Sequence, residues 1–168
     1  MATLQPSNVD SVSWLYYDRK LLHPLLKRRK LIGRVEVSEA EAADWAAAQL
    51  GMTLIELSDL LLSAFMWLTS EAEPLPIVWR AWQTQNRCLY FTPMDQAHWR
   101  LHRCDRYFDE ILTADAAGLC ATEFAIDVHV SELTMFSAAA SSGRRLRQRL
   151  ADYRYMHPEG PRISTVLD

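Results

Sequence analysis

The sequence is poor in cysteine, and its three, Cys88, Cys104 and Cys120, lie far apart with no C-x-x-C spacing. That excludes a disulfide framework and a zinc knuckle, and it fits reduced thiols in a cytosol. A long apolar run is also missing. The greasiest window, Leu60 to Leu68, is less than half of the ~20 residues a membrane helix needs. The opening MATLQPSNVDSVSW has neither a charged start nor an apolar stretch. The expectation is a cytoplasmic chain with no membrane partner. There is no internal repeat and no low-complexity tract. Glycine and proline, 5 and 7 residues of 168, are too few for a collagen-like or disordered chain. Positive charge is absent from one whole stretch, since no Lys or Arg occurs between Val35 and Trp79.

What is present is ordinary globular material, 49% hydrophobic and 23% charged, in a chain long enough to bury one core. The net charge of −3 hides a segregation of signs. Arg19, Lys20, Lys27, Arg28, Arg29, Lys30 and Arg34 crowd one stretch, and Arg144, Arg145, Arg147 and Arg149 another. The middle carries Glu36, Glu39, Glu41, Asp44, Glu56, Asp59, Glu71 and Glu73. Such a molecule is dipolar. Its basic runs are either solvated helix faces or contacts to a DNA backbone, made through Lys27, Arg28, Arg29, Lys30, Arg144 and Arg145; backbone contacts are sequence-blind and salt-sensitive.

Along the chain, Trp14 to Leu31 reads as amphipathic helical turns broken at Pro24, apolar on one face and basic on the other. Ile32 to Val37 reads as a short strand. Ser38 then caps a helix that stops at Gly51, and Thr53 with Glu56 opens a second one. Ile77 to Trp82 and Cys88 to Thr92 read as a hairpin. The stretch from Pro93 to Arg103 reads as a loop leading into a helix around Asp105 to Leu112, which ends before Gly118. Phe124 to Val130 reads as a third strand, and Ser131 to Tyr155 as a helix. His157-Pro-Glu-Gly-Pro161 is too rich in breakers for an element. The predicted class is α/β (α+β), a small mixed sheet with helices packed around it. The predicted organisation is a basic segment over 1–31, a domain over 32–156 with a C-terminal helix, and a tail over 157–168.

The densest polar chemistry is Asp95-Gln-Ala-His98-Trp99-Arg100-Leu-His102-Arg103. A helix starting here offers free N–H groups and positive potential, and arginine adds a planar fork, so His98, Arg100, His102 and Arg103 are candidates for holding phosphate. His98 and His102, four apart, share a helix face; with a carboxylate they also compose a candidate site for a metal-dependent hydrolase. The plainer alternative is that these groups pair with Asp95, Asp105 or Asp109.

The order of these elements, with Pro76-Ile-Val78, Cys88 to Thr92, an Asp-x-x-His at Asp95 to His98, a helix, a Gly and Ala125 to Val130, resembles the ParB/sulfiredoxin fold over roughly residues 32–133. Gln96 stands where that family has Gly, and Trp99 where it often has Arg. Leu101 and Ala97, rather than cysteine, precede the two histidines, which turns the reading away from the redox branch. Too little chain follows the third strand for the added domains of the partition branch. The overall character is similar to plasmid fertility inhibition factors of the oncogenic suppression type. That resemblance implies a nucleotide-regulated DNase and ATPase using ATP and Mg²⁺, with Asp95, His98 and Glu132 as catalytic residues and Asp95 and Glu132 as magnesium ligands. It also implies the transfer strand of DNA as target, a type IV secretion context and a coupling protein as a further partner. The competing reading is a non-enzymatic inhibitor docking on a secretion or partition ATPase through the acidic 36–73 face, with Trp14 and Trp99 as exposed anchors.

Overall fold

Two capping boxes set the first two helices among the described residues. The Ser38 Oγ accepts from the Glu41 N–H at 3.3 Å while the Glu41 carboxylate accepts from the Ser38 N–H at 2.8 Å, so α1 (Glu39–Leu50) begins there; it closes at Gly51, whose φ is 71°. Thr53 and Glu56 repeat the device at 2.7 and 3.2 Å and open α2 (Leu54–Thr69). The N–H groups of Ser38 and Thr53, then their hydroxyls, hold both glutamate carboxyls below the usual range. The computed structural model describes residues 33–71, 76–84, 86–134 and 137–168. The basic segment over 1–31, with Lys27, Arg28, Arg29, Lys30 and Trp14, lies outside the described residues.

β1 (Arg34–Glu36), β2 (Trp79–Thr84) and β3 (Leu89–Pro93) form an antiparallel sheet in that order, with Val35 opposite Gln83 and Ala81 opposite Phe91. The hairpin read from the sequence is the β2–β3 pair. β4 (His98–Arg103) and β5 (Phe108–Thr113) form a second antiparallel pair. The α+β class holds, but both sheets are antiparallel rather than mixed. The helix expected over Asp105 to Leu112 is strand β5. The polar residues His98, Arg100 and His102 alternate with buried Trp99 and Leu101, a period of two that belongs to a half-buried strand. Trp99 is therefore a core residue and not an exposed anchor; it meets Phe65 edge-on at 4.9 Å.

The largest departure is α3 (Ala114–Glu132), capped by the Thr113 hydroxyl on the Ala116 N–H. It runs straight through Gly118 and through the stretch expected as the third strand, so the strand order that carried the ParB/sulfiredoxin resemblance is absent. The cause is burial on every side over its first two-thirds, Ala116 to Ile126: α3 packs on α2, β3, β4 and β5 and on α4 (Ala138–Arg154) and α5 (Gly160–Leu167). A helix buried all round has no apolar stripe to betray it, and Ile126, Val128 and Val130 give its end the local look of a strand. α5 occupies the segment expected as a structureless tail. Pro161 lies in its first turn, where a missing N–H costs nothing, and Ile163 and Val166 are buried.

Gly118 is the contact point of α3 with the sheet, since a Cβ there would lie 2.2 Å from the Phe91 carbonyl oxygen and 2.7 Å from the Thr92 Cα. No single described helix is long and apolar enough to cross a membrane; α1 and α2 together are, but they bend by 82° at their break. Around α3 the core is built from Leu57, Leu61, Phe65, Leu68, Tyr90, Leu101, Leu112, Leu146 and Ile163.

Gly118→Ala forces backbone apart and is expected to destabilise by about 2 kcal/mol or more, whereas Gly51→Ala, with open space but a left-handed backbone, costs about 1 kcal/mol. Urea unfolding of the two variants checks that order, and equal losses contradict the close approach of α3 to β3. The thiols give a second check. Cys88 and Cys120 are buried, and burial pushes both up, Cys88 to about 12, while Cys104 is exposed in the β4–β5 turn. Native alkylation followed by peptide mass mapping is expected to modify Cys104 alone.

Candidate functional site

The residues singled out along 95–103 sit on β4 and the loop before it. His98 and His102 do share one face, through the two-residue period of a strand and not through a helical turn, and that period brings Arg100 onto it as well. The stretch itself opens no helix, so the N–H groups expected from its own first turn as the cause of phosphate binding are missing. Arg100 is engaged by Asp109 through Nε and Nη2 at 2.7 and 2.6 Å, and Arg103 by Asp105 at 2.7 Å through both nitrogens. Each pairing holds the aspartate low and raises the arginine. Arg103 points to the other face of β4, its guanidinium 4.5 Å over the Trp67 ring. The arginine–aspartate pairs raised as the plainer alternative describe this geometry.

Asp95, His98 and Glu132 are not brought together. The Ala114 N–H donates to the Ala97 carbonyl at 2.9 Å and His98 pairs with Thr113, so the 95–98 loop adjoins the N-terminus of α3. Glu132 is the last residue of that helix, about 27 Å away by the helix rise. The Asp95 carboxylate instead accepts from the Val78 N–H at 3.2 Å and holds the start of β2. A magnesium ion shared by Asp95 and Glu132 does not fit this spacing. Among the described residues, no group of three or more His, Cys, Asp and Glu is placed to hold a metal.

Two constellations were not visible from the sequence. The first gathers on Asp115 at the start of α3. Its carboxylate accepts from Arg34, from the Tyr90 hydroxyl at 2.9 Å and from His157 Nε2 at 3.1 Å. The Glu159 N–H donates to His157 Nδ1 at 3.1 Å, which leaves Nε2 to face Asp115. Arg34 also lies 4.3 Å over the Trp82 ring. One carboxylate thus joins β1, β3, α3 and the loop after α4, and with three donors it is well satisfied.

The second constellation is not satisfied. Glu123 of α3 and Arg154 of α4 face each other at 3.4 Å on the floor of a cleft between α3, α4 and α5, a cavity of about 320 Å³. Both residues are more than nine-tenths buried, at 6% and 7% exposure. Glu123 Oε2 and Arg154 Nε and Nη1 make no hydrogen bond. Arg154 Nη2 lies 3.6 Å from the exposed Asp168 carboxylate, and at the rim Arg147 pairs with Asp127 at 2.7 Å. Burial pushes the Glu123 carboxyl up to about 7 against the opposing pull of Arg154 and Arg147. Buried charges left short of partners are what a binding site keeps in reserve for a ligand. No sequence pattern reveals this pair, because Glu123 sits in an alanine-rich run and meets Arg154 only through the packing of two helices. Of the residues expected to meet DNA, Arg144 and Arg145 are exposed on α4, and Arg144 lines the same cleft.

The antirestriction protein family matches residues 77–168, from just before β2 to the end of α5. A solved chain reported with the structures of the KlcA and ArdB proteins is 22% identical, with a TM-score of 0.67 over 84% of this chain and 98% of that one; it shows that the fold is shared. No curated protein matches. These findings replace the resemblance to the ParB/sulfiredoxin fold and to fertility inhibition factors. With it go the nucleotide-regulated DNase and ATPase, the block of conjugative transfer and the type IV secretion setting, and docking on a secretion or partition ATPase through the acidic face fits no better. Since the matched residues make up more than half of the sequence and hold every group lining the Glu123–Arg154 cleft, the chain belongs to the antirestriction protein family.

Proposed function

We propose that this protein shields DNA in the cell from type I restriction. The observation that carries the reading is the family match over 77–168, and the shared fold adds to it: the KlcA and ArdB proteins are described as having antirestriction activity against type I DNA restriction systems in vivo but not in vitro. The matched segment holds α3 and everything packed on it, so the reading places the working surface on the C-terminal half. Positive charge there is carried by arginine alone, because no lysine follows Lys30. Arginine forks bind phosphate and carboxylate in two-point geometry and keep their charge. In this reading Arg144 and Arg145, exposed on α4, meet the DNA backbone.

Since the related activity is described in vivo, the test belongs in cells. Unmodified phage is plated on a host carrying a type I restriction system, with and without this chain expressed. Plating efficiency is expected to rise with the chain present, and the double change Arg144→Glu/Arg145→Glu is expected to remove about tenfold of the gain. Unchanged plating in cells that accumulate folded protein contradicts the reading.

A further inference from the structure

We propose that the β4–β5 turn stacks an unpaired DNA base on Tyr107 while Arg106 holds the adjoining phosphate. The inference rests on the reading that DNA is what the α4 arginines meet, and it adds a strand-specific contact to that surface. Tyr107 is 95% exposed, the most open large hydrophobic side chain among the described residues. Its φ is 58°, a left-handed backbone that suits glycine or asparagine and strains a bulky residue. Neither its ring nor its hydroxyl has a partner among the described residues. Burial does not account for a tyrosine there, and the turn geometry works against one. An open aromatic ring beside arginine is the composition of a recognition surface.

The turn is braced behind its tip. Arg103, at the end of β4, is tied to Asp105 by two bonds of 2.7 Å, and the Arg106 N–H donates to the Arg103 carbonyl at 3.3 Å. Arg106 is exposed, and its guanidinium makes no hydrogen bond or ion pair among the described residues; it stands 5.9 Å from the Trp67 ring. One cation and one ring, adjacent in sequence, are thus left open. Behind them runs a row of basic and aromatic groups. Arg103 lies 4.5 Å over the Trp67 ring of α2, Trp67 stacks on Phe124 of α3 at 4.6 Å, and Phe124 lines the cleft with Arg144 and Arg147 of α4. The acids that reach the surface along this row are matched, Asp105 by Arg103, Asp127 by Arg147 and Asp168 by Arg154. Arg106, Arg144 and Arg145 are the charge in excess.

The kind of partner follows from that pattern. Arginines interleaved with aromatic rings suit a chain that alternates anionic groups with flat ones, which is a nucleic acid strand. In a duplex each base face is covered by its neighbours, so a protein ring stacks only on a base that is unpaired or has left the stack. An acidic peptide supplies the charge without the flat faces.

The test is a fluorescence anisotropy titration of an end-labelled oligothymidylate of about 16 nucleotides with the full chain. The same strand paired with its complement and an oligouridylate of equal length are titrated beside it. The single DNA strand is expected to bind tighter than the duplex. Tyr107→Asn, which suits the left-handed backbone, is expected to weaken strand binding about tenfold and to leave duplex binding unchanged. Tyr107→Phe keeps the ring and is expected to keep the affinity. Arg106→Ala is expected to weaken strand binding and to lower the slope of log affinity against log salt by about one. Both side chains are exposed, so each variant is expected to unfold at the temperature of the parent chain. Four results overturn the proposal: no strand binding by the folded chain, a Tyr107→Asn variant that loses nothing or loses equally on strand and duplex, displacement of the strand by polyglutamate at matched charge, and tighter binding of the uridylate than of the thymidylate. Protection against restriction is read separately, by plating. Strand binding that depends on Tyr107 without any gain in plating fails the antirestriction reading alone, and a gain in plating without strand binding fails this inference alone.

Discussion

The backbone of α3 lies against the backbone of β3 at Gly118, and the rest of the fold is arranged around that approach. A Cβ at that position would lie 2.2 Å from the Phe91 carbonyl oxygen, so only a residue without a side chain permits the approach. The Thr122 hydroxyl, one turn on, accepts from the Phe91 N–H at 3.0 Å and donates to the Gly118 carbonyl at 2.8 Å, which locks helix and strand in register. With α3 drawn onto the sheet, its remaining faces are covered by α2, α4, α5 and the β4–β5 pair. Ten of its residues are buried, and small ones dominate: Ala116, Ala117, Gly118, Ala121 and Ala125. Their shortness lets so many elements converge on one helix.

Such a helix carries its polar groups into the interior, and there they must find partners. Asp115 finds three donors and ties distant parts of the chain together. Thr113 is tied by Glu159, which accepts from its hydroxyl and its N–H, while His129 Nε2 reaches the Leu50 carbonyl at 3.1 Å and joins the far end of α3 to α1. Glu123 and Arg154 lie in the same buried layer with less complete bonding. A buried ion pair adds little net stability even when its bonds are good, and this one is loose at 3.4 Å. The contrast between the two sites, one closed and one left open on a cavity, singles out the cleft.

Local chemistry made part of this legible in the sequence. Ser38 with Glu41, Gly51, and Thr53 with Glu56 announce α1 and α2 because a capping box acts over four residues. The β2–β3 hairpin was readable from its β-branched and aromatic runs. What failed was tertiary in origin. α3 has no amphipathic period because its residues from Ala116 to Glu123 are buried on every side, and its β-branched end imitates a strand. On β4 the spacing of His98 and His102 fits both a helix and a strand, and buried Trp99 and Leu101 decide for the strand. Pro161 looked like a breaker and works as a helix starter. His98 and His102 fall on one surface as the sequence implied, and the strand adds Arg100 to it, but Asp109 already engages Arg100. The Glu123–Arg154 cleft depends on two helices crossing, which no short motif encodes.

The burial of a continuous α3 against β3 is the claim from which the cleft, the Asp115 node and the placement of the matched segment all follow. Native-state hydrogen exchange, resolved by residue, tests it most directly. The amides of Ala116 to Ile126 and of Leu89 to Phe91 are expected to be the slowest in the chain and to open together, with the free energy of global unfolding. Fast exchange between Phe124 and Val130, or protection there that alternates from one residue to the next as in an edge strand, contradicts the account.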